Sequence, residues 1–322
     1  MANNLSISRR DFIKSSALTC AALAAAPVAM AENSVYDAKG LPTRILGKTG
    51  VQVPIMVVGC GSRFMAASTD QGLEMLEHAL DNGLYYWDTA ANYKNDYESS
   101  EERLGRMLKH KRKEVFLATK VAERDAEGAK KTIERSLQRL QTDYIDLYQM
   151  HSINQLDDAK NLQEVLSLLR DYQRQGIIRH VGFTGHTSAE AMTYAAKNYD
   201  FDTMLIALNH MADNQNFEQM AVPAAAAKNM GIIGMKVIRP RETVKELTPD
   251  KLIKYALSLD HLSAANVSNG SLDILKTNLE ILRNFEPLPA EEMQNLRGQL
   301  SPFFRSNELP WMQPGYQDGH WV

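Results

Sequence analysis

The chain has 322 residues, 44% hydrophobic and only 7% aromatic, with 36 Lys and Arg against 39 Asp and Glu for a formal charge of −3. That hydrophobic content excludes a disordered or collagen-like polymer. The slight acidic excess lacks the cationic surface that a phosphate backbone demands, which argues against nucleic acid as a partner.

The first 31 residues read as a targeting segment. Ser8-Arg9-Arg10-Asp11-Phe12-Ile13-Lys14 leads into an Ala-rich, moderately hydrophobic stretch from Ser15 to Met30, closed by the small-x-small site Ala29-Met30-Ala31. This order of charged, apolar and cleavage regions resembles a twin-arginine export signal. It implies the twin-arginine machinery as a partner, cleavage near Ala31, and a periplasmic or otherwise exported mature protein. The apolar run is too short for a stable membrane span. Of the two cysteines, Cys20 falls within this segment, leaving Cys60 as a lone thiol in Val57-Val58-Gly59-Cys60-Gly61. A lone thiol supports no intramolecular disulfide, iron–sulfur cluster or structural zinc site, so no metal is expected, and a small buried residue is the expected role.

Pro42–Val53 has the form of a hairpin turning at Lys48-Thr49-Gly50, placed to plug one end of a barrel. From there on, short runs rich in Val, Ile and Tyr alternate with segments of helical period. The expected strands are Ile55–Gly61, Leu84–Ala90, Val115–Val121, Tyr144–Ser152, His180–His186, Met204–Asn209, Gly231–Val237 and Ser263–Ser268. Helices are expected over Thr69–Asp81, Ser99–Lys109, Asp125–Leu140, Ala159–Gln175 and Ala189–Asn198. Eight such units within about 250 residues predict a (β/α)8 TIM barrel. An open doubly wound sheet would carry a Gly-rich phosphate loop after its first strand, and Gly59-Cys60-Gly61-Ser62-Arg63-Phe64 lacks the third glycine. The domain reading is a signal at 1–31, a barrel at 32–300 and an aromatic tail at 301–322 that docks on the barrel through residues such as Trp311 and Tyr316.

In such a barrel the chemistry sits where strands end. The second strand ends at Asp88 with Tyr93 five residues on, the third ends at Lys120, and the fourth at His151. A phenol holds its proton too tightly for transfer at neutral pH. An ammonium from Lys120, held charged by Asp88, favours the phenolate and makes Tyr93 a usable acid, while His151 donates to a substrate oxygen.

With Asp88-Thr89-Ala90-Ala91-Asn92-Tyr93, Glu101-Glu102-Arg103-Leu104-Gly105, Arg44-Ile45-Leu46-Gly47-Lys48-Thr49-Gly50 and Tyr144-Ile145-Asp146-Leu147-Tyr148, the sequence resembles an aldo/keto reductase from about residue 42 to about residue 284. The resemblance implies a small-molecule aldehyde or ketone reduced, or an alcohol oxidised, with NADP(H) or NAD(H), and Asp88, Tyr93, Lys120 and His151 as the catalytic set. It also implies cofactor contacts from Thr184 and Gly185, where the family usually has Ser-Asn, and from Asn209. Lys236 and Arg239 would reach the pyrophosphate, and Ser268 and Asn278 the adenosine-phosphate segment. His186 has either a site role or a turn role. Met235 stands where many members place an aromatic that stacks on nicotinamide, so ring packing there differs, and Ile274 stands where Arg or Gln is common, which leaves both NADPH and NADH as cofactors. Phe64, Tyr97, Trp311 and Tyr316 offer apolar or sugar-stacking faces. A dinucleotide-binding redox sensor or assembly partner without turnover, and a cofactor-independent lyase, are the competing functions on the same barrel.

Overall fold

The computed structural model describes residues 35–207, 216–239 and 246–304, together with Trp311 and Asp318. A short antiparallel pair, β1 (Thr43–Ile45) and β2 (Gln52–Pro54), precedes eight parallel strands that close into a barrel. These are β3 (Met56–Gly59), β4 (Tyr86–Asp88), β5 (Phe116–Val121), β6 (Ile145–Met150), β7 (Ile178–Gly185), β8 (Thr203–Ile206), β9 (Gly231–Gly234) and β10 (Leu262–Val267), and β10 pairs back onto β3. All eight expected strands are present. Every residue of β5 and β6 is buried, because side chains facing inward pack in the barrel and those facing outward meet the helices.

Side-chain caps start the helices between the strands where the sequence changes period. Ser68 with Gln71, and Ser99 with Glu102, form reciprocal capping boxes for the helices Thr69–Asp81 and Ser100–Lys111. Asp125 and Ser188 cap Ala126–Arg139 and Ala189–Asn198. The segment expected as one helix over Ala159–Gln175 is two, Leu156–Lys160 and Gln163–Arg174. At Asn161 the backbone leaves the helical region, and the Asn161 carboxamide donates back to the Asp157 carbonyl at 2.8 Å, ending the first piece locally.

The hairpin seals the end of the barrel where the strands begin. Its turn brings Leu46, fully buried, against Gly231, the first residue of β9. Gly47 has φ +50°, and a Cβ there would stand 2.2 Å from the Gly231 nitrogen, so both the conformation and the contact require glycine. Arg44 donates to the Leu257 and Leu262 carbonyls. Nearby, fully buried Asp146 accepts from Arg112 and Arg179, both at 2.7 Å, from the Tyr36 hydroxyl at 2.8 Å and from the Leu117 amide at 2.9 Å. Both guanidinium groups lie over the Tyr144 ring. This charged base leaves the opposite end of the barrel for the site. The C-terminal part includes the helix Ala290–Phe304 and Trp311, which is buried.

Candidate active site

Asp88 is the last residue of β4, Lys120 lies one residue from the end of β5, and His151 directly follows β6. All three are buried. Tyr93 reaches the same end from the loop after β4. Its amide donates to the Ala90 carbonyl, its carbonyl accepts from Ser100, and a chain of hydroxyls from Thr89 through Ser100 to the Cys60 carbonyl ties that loop to β3.

The Lys120 ammonium donates to Asp88 Oδ2 at 2.6 Å and to the Thr89 carbonyl at 2.7 Å. Asp88 also accepts from Gln149 Nε2 on Oδ1 at 2.9 Å and from Asn266 Nδ2 on Oδ2 at 2.8 Å. The Asn266 carboxamide crosses from β10 to β4 over Gly59 of the intervening strand, where a Cβ would stand 2.3 Å from Asn266 Oδ1. Three side-chain donors fix the carboxylate, and it holds the ammonium 4.9 Å from the centroid of the Tyr93 ring. The His151 ring meets the Tyr93 ring edge-on, with centroids 5.7 Å apart.

Asp318 enters this group from the C-terminal tail. Its Oδ2 accepts from the Tyr93 hydroxyl at 2.6 Å and lies 3.1 Å from His151 Nε2. Its Oδ1 accepts from Lys236 Nζ at 2.8 Å and lies 3.3 Å from His186 Nε2. Burial lowers His151 to a pKa of about 4 despite the favourable pull of Asp318, and burial likewise lowers His186. Neutral His151, facing a carboxylate oxygen that can only accept, donates through Nε2 in the tautomer this contact requires. Burial alone would raise the Asp318 carboxyl, but Lys236 and the two histidines hold it well below the usual carboxylate range.

Two clefts flank the group. The first runs from Gly59–Arg63 past Met235, Lys236 and Arg239 to Ser268, with Asp88 and Tyr93 at its inner end. Its basic side chains, Arg63, Lys236 and Arg239, suit an anionic diphosphate. The second, mostly polar, runs from Asn92 and Asn95 past Tyr97 to Arg135, Arg139, Lys120 and His151. Asp318 lines both clefts.

Of the residues expected on the cofactor side, Lys236, Arg239 and Ser268 line the first cleft. Thr184 is fully buried, and its hydroxyl accepts from the Ser152 amide, pinning the turn after His151. Gly185 has a packing reason: a Cβ would stand 2.3 Å from Met192 Sδ and 2.7 Å from the Ile153 carbonyl. Asn278 is buried and donates to Asn269 Oδ1 at 2.8 Å, outside the lining of either cleft. Asn209 and Tyr316 lie outside the described residues. Phe64 offers no stacking face to a ligand, because it is buried beneath the Arg103 guanidinium. Cys60 is buried, and burial pushes its thiol up, consistent with an inert packing role.

Sequence reasoning missed Gln149, Asn266 and Asp318. The signal for the first two was a single amide in each strand. For Asp318 it was an acid in an aromatic tail, one of two between residues 301 and 322.

Residues 57–240 match the aldo/keto reductase family model, and residues 6–26 match a twin-arginine translocation signal sequence. The uncharacterised oxidoreductase YqkF of Bacillus subtilis is 31% identical over 153 residues, covering 44% of this chain and 48% of its own. The aldo-keto reductase yakc [NADP(+)] of Schizosaccharomyces pombe is 30% identical over 176 residues, covering 49% of each chain. This chain thus spans about half the length of these curated relatives. The holo structure of the aldo-keto reductase AKR11C1 from Bacillus halodurans superposes with a TM-score of 0.69 at 21% identity, covering 80% of this chain and 96% of that one, which establishes the shared barrel. Among the described residues no helix is long and apolar enough to cross a membrane. By its sequence match and its barrel, the chain belongs to the aldo/keto reductase family, whose members work with NAD(P)H.

Proposed function

We propose that this chain is an exported NAD(P)H-dependent oxidoreductase that reduces an aldehyde or ketone, or oxidises the corresponding alcohol. One observation carries the reading. The Tyr93 hydroxyl and His151 Nε2 converge on a single oxygen position, now filled by Asp318 Oδ2, while Lys120 stands over the phenol ring. A carboxylate oxygen there stands in for the oxygen of a carbonyl or of the alkoxide it becomes.

The nicotinamide, when bound, supplies hydride to the carbonyl carbon. The chain supplies the rest. Tyr93 hands its proton to the developing alkoxide, and the Lys120 ammonium stabilises the phenolate that remains. Asp88, held by Gln149 and Asn266, keeps Lys120 in place. His151, neutral because it is buried, donates Nε2–H to the same oxygen and fixes its angle. In the reverse direction the phenolate takes the alcohol proton. Lys236, Arg239 and Ser268 would hold the dinucleotide phosphates. The polar second cleft would receive the substrate.

The twin-arginine match supports export of the barrel, with cleavage near Ala31 and a periplasmic destination. The test is turnover. With NADPH or NADH and a panel of aldehydes, ketones and sugars, the purified protein should oxidise the reduced cofactor, and Tyr93→Phe should slow that oxidation by about 10²- to 10⁴-fold. Turnover unaffected by Tyr93→Phe, or none with any substrate, would overturn the reading.

A further inference from the structure

The Tyr93 hydroxyl has one proton, and in this structure it is given to Asp318. His151 Nε2 and Lys236 Nζ are directed at the same carboxylate, with His186 Nε2 beside them. While Asp318 holds these groups, no carbonyl oxygen can occupy the position where Tyr93 and His151 converge. Asp318 also lines both clefts, so its side chain stands at the partition that a hydride must cross between them. The carboxylate is well placed to stay: its side chain is only 8% exposed, and Trp311, seven residues earlier, is buried with its ring 5.9 Å from Lys236 Nζ. A displaced Asp318 would therefore remain tethered close to the site, at high effective concentration.

We propose that Asp318 is an internal competitor for the reacting-oxygen site, so that the resting protein is self-inhibited and turnover requires withdrawal of this carboxylate. The proposal rests on the oxidoreductase reading for the identity of the blocked reaction, though not for the carboxylate's occupancy of the site. Two ligands compete with it at different atoms. A carbonyl oxygen competes for Tyr93 and His151, and a dinucleotide phosphate competes for Lys236. Neither opens the site alone as completely as both together. The open site, carrying Lys236 and two imidazoles beside a phenol donor, would accept a small external carboxylate in place of the internal one.

The experiment compares the full chain with Asp318→Ala and Asp318→Asn. Binding of trifluoroacetate, followed by broadening of its fluorine resonance, needs no turnover. It should be at least tenfold tighter in Asp318→Ala than in the native chain, where the internal carboxylate excludes it. Asp318→Asn, which keeps the size of the side chain and loses its charge, should change in the same direction and serves if the alanine variant folds poorly. In the presence of NADPH, kcat/KM for an aldehyde should rise about tenfold in both variants, and acetate should become an inhibitor competitive with the aldehyde. Equal trifluoroacetate binding in all three proteins, or a fall in kcat/KM on removing the carboxylate, would overturn the proposal. If trifluoroacetate discriminates among them but none turns over a carbonyl, the internal competitor stands and the oxidoreductase reading fails. If turnover depends on Tyr93 but trifluoroacetate does not discriminate, the reverse holds.

Discussion

The Lys120 ammonium lies 4.9 Å from the centroid of the Tyr93 ring and 2.6 Å from Asp88 Oδ2, so one cation is shared between a fixed carboxylate and a phenol. The carboxylate is the tighter partner and sets the position; the phenol feels the charge. Tyr93→Phe keeps the ring against Lys120 and removes the hydroxyl. It should lower kcat by about 10²- to 10⁴-fold, the usual contribution of a positioned acid, and leave dinucleotide affinity little changed. Steady-state kinetics paired with a nicotinamide fluorescence titration separates the two effects.

Gly59→Ala places a methyl in the path of the Asn266 carboxamide, with its Cβ 2.3 Å from Asn266 Oδ1. Asp88 should then lose one of its three side-chain donors. The expected cost is about 1–3 kcal/mol of stability from overpacking, with a lowered kcat in the fraction that folds. Urea unfolding and kinetics on the same sample check both, and an unchanged kcat would place Asn266 outside the machinery.

Arg112→Met tests the opposite end of the barrel. Asp146 is fully buried and relies on Arg112 and Arg179 for its counter-charge. Removing one partner should cost about 3 kcal/mol, because a buried carboxylate is left undercompensated. Chemical denaturation should report this loss, with kcat/KM of the folded variant unchanged.

Acid should destabilise the fold. Burial lowers the pKa of His151 to about 4 and also lowers those of His180 and His186, whereas an unfolded histidine titrates near 6.5. Between those values the unfolded chain binds more protons than the native one, so stability rises with pH across that window and is lost as pH falls. His151 alone accounts for about 3 kcal/mol at most, at 1.36 kcal/mol per pKa unit. Asp318, shifted well below the usual carboxylate range, adds a loss of the same sign at still lower pH. Urea midpoints measured from pH 7 to pH 4 should fall steadily, and His151→Asn should flatten part of the slope. A level profile would show that these rings are solvated in the native protein.

Replacing Arg9 and Arg10 with lysine should retain the protein in the cytoplasm, because a twin-arginine pair is read by an export receptor. Cell fractionation with a fusion reporter provides the check.

What the sequence revealed followed from patterns local to a segment. The eight apolar runs, the hairpin with its turn glycines, and polar residues placed where strands end all appear within a few residues of one another. What stayed hidden depends on which segments meet. Gln149 and Asn266 read as isolated amides in strands, and only barrel closure points both at Asp88. Asp318 meets Tyr93 across 225 residues, a pairing that no periodicity encodes. Phe64 is an aromatic with a face to offer a ligand, yet Arg103 from the helix Ser100–Lys111 covers it. The break at Asn161 was written in the sequence, in an amide able to bond its own preceding turn.

The Asn266 carboxamide reaches Asp88 across the seam where the last barrel strand joins the first. The buried acid acquires that partner only once the ring of strands is complete, so an open-ringed folding intermediate would have an incompletely organised Lys120. Loss of turnover on heating should therefore report separation of β10 from β3, ahead of melting of the outer helices.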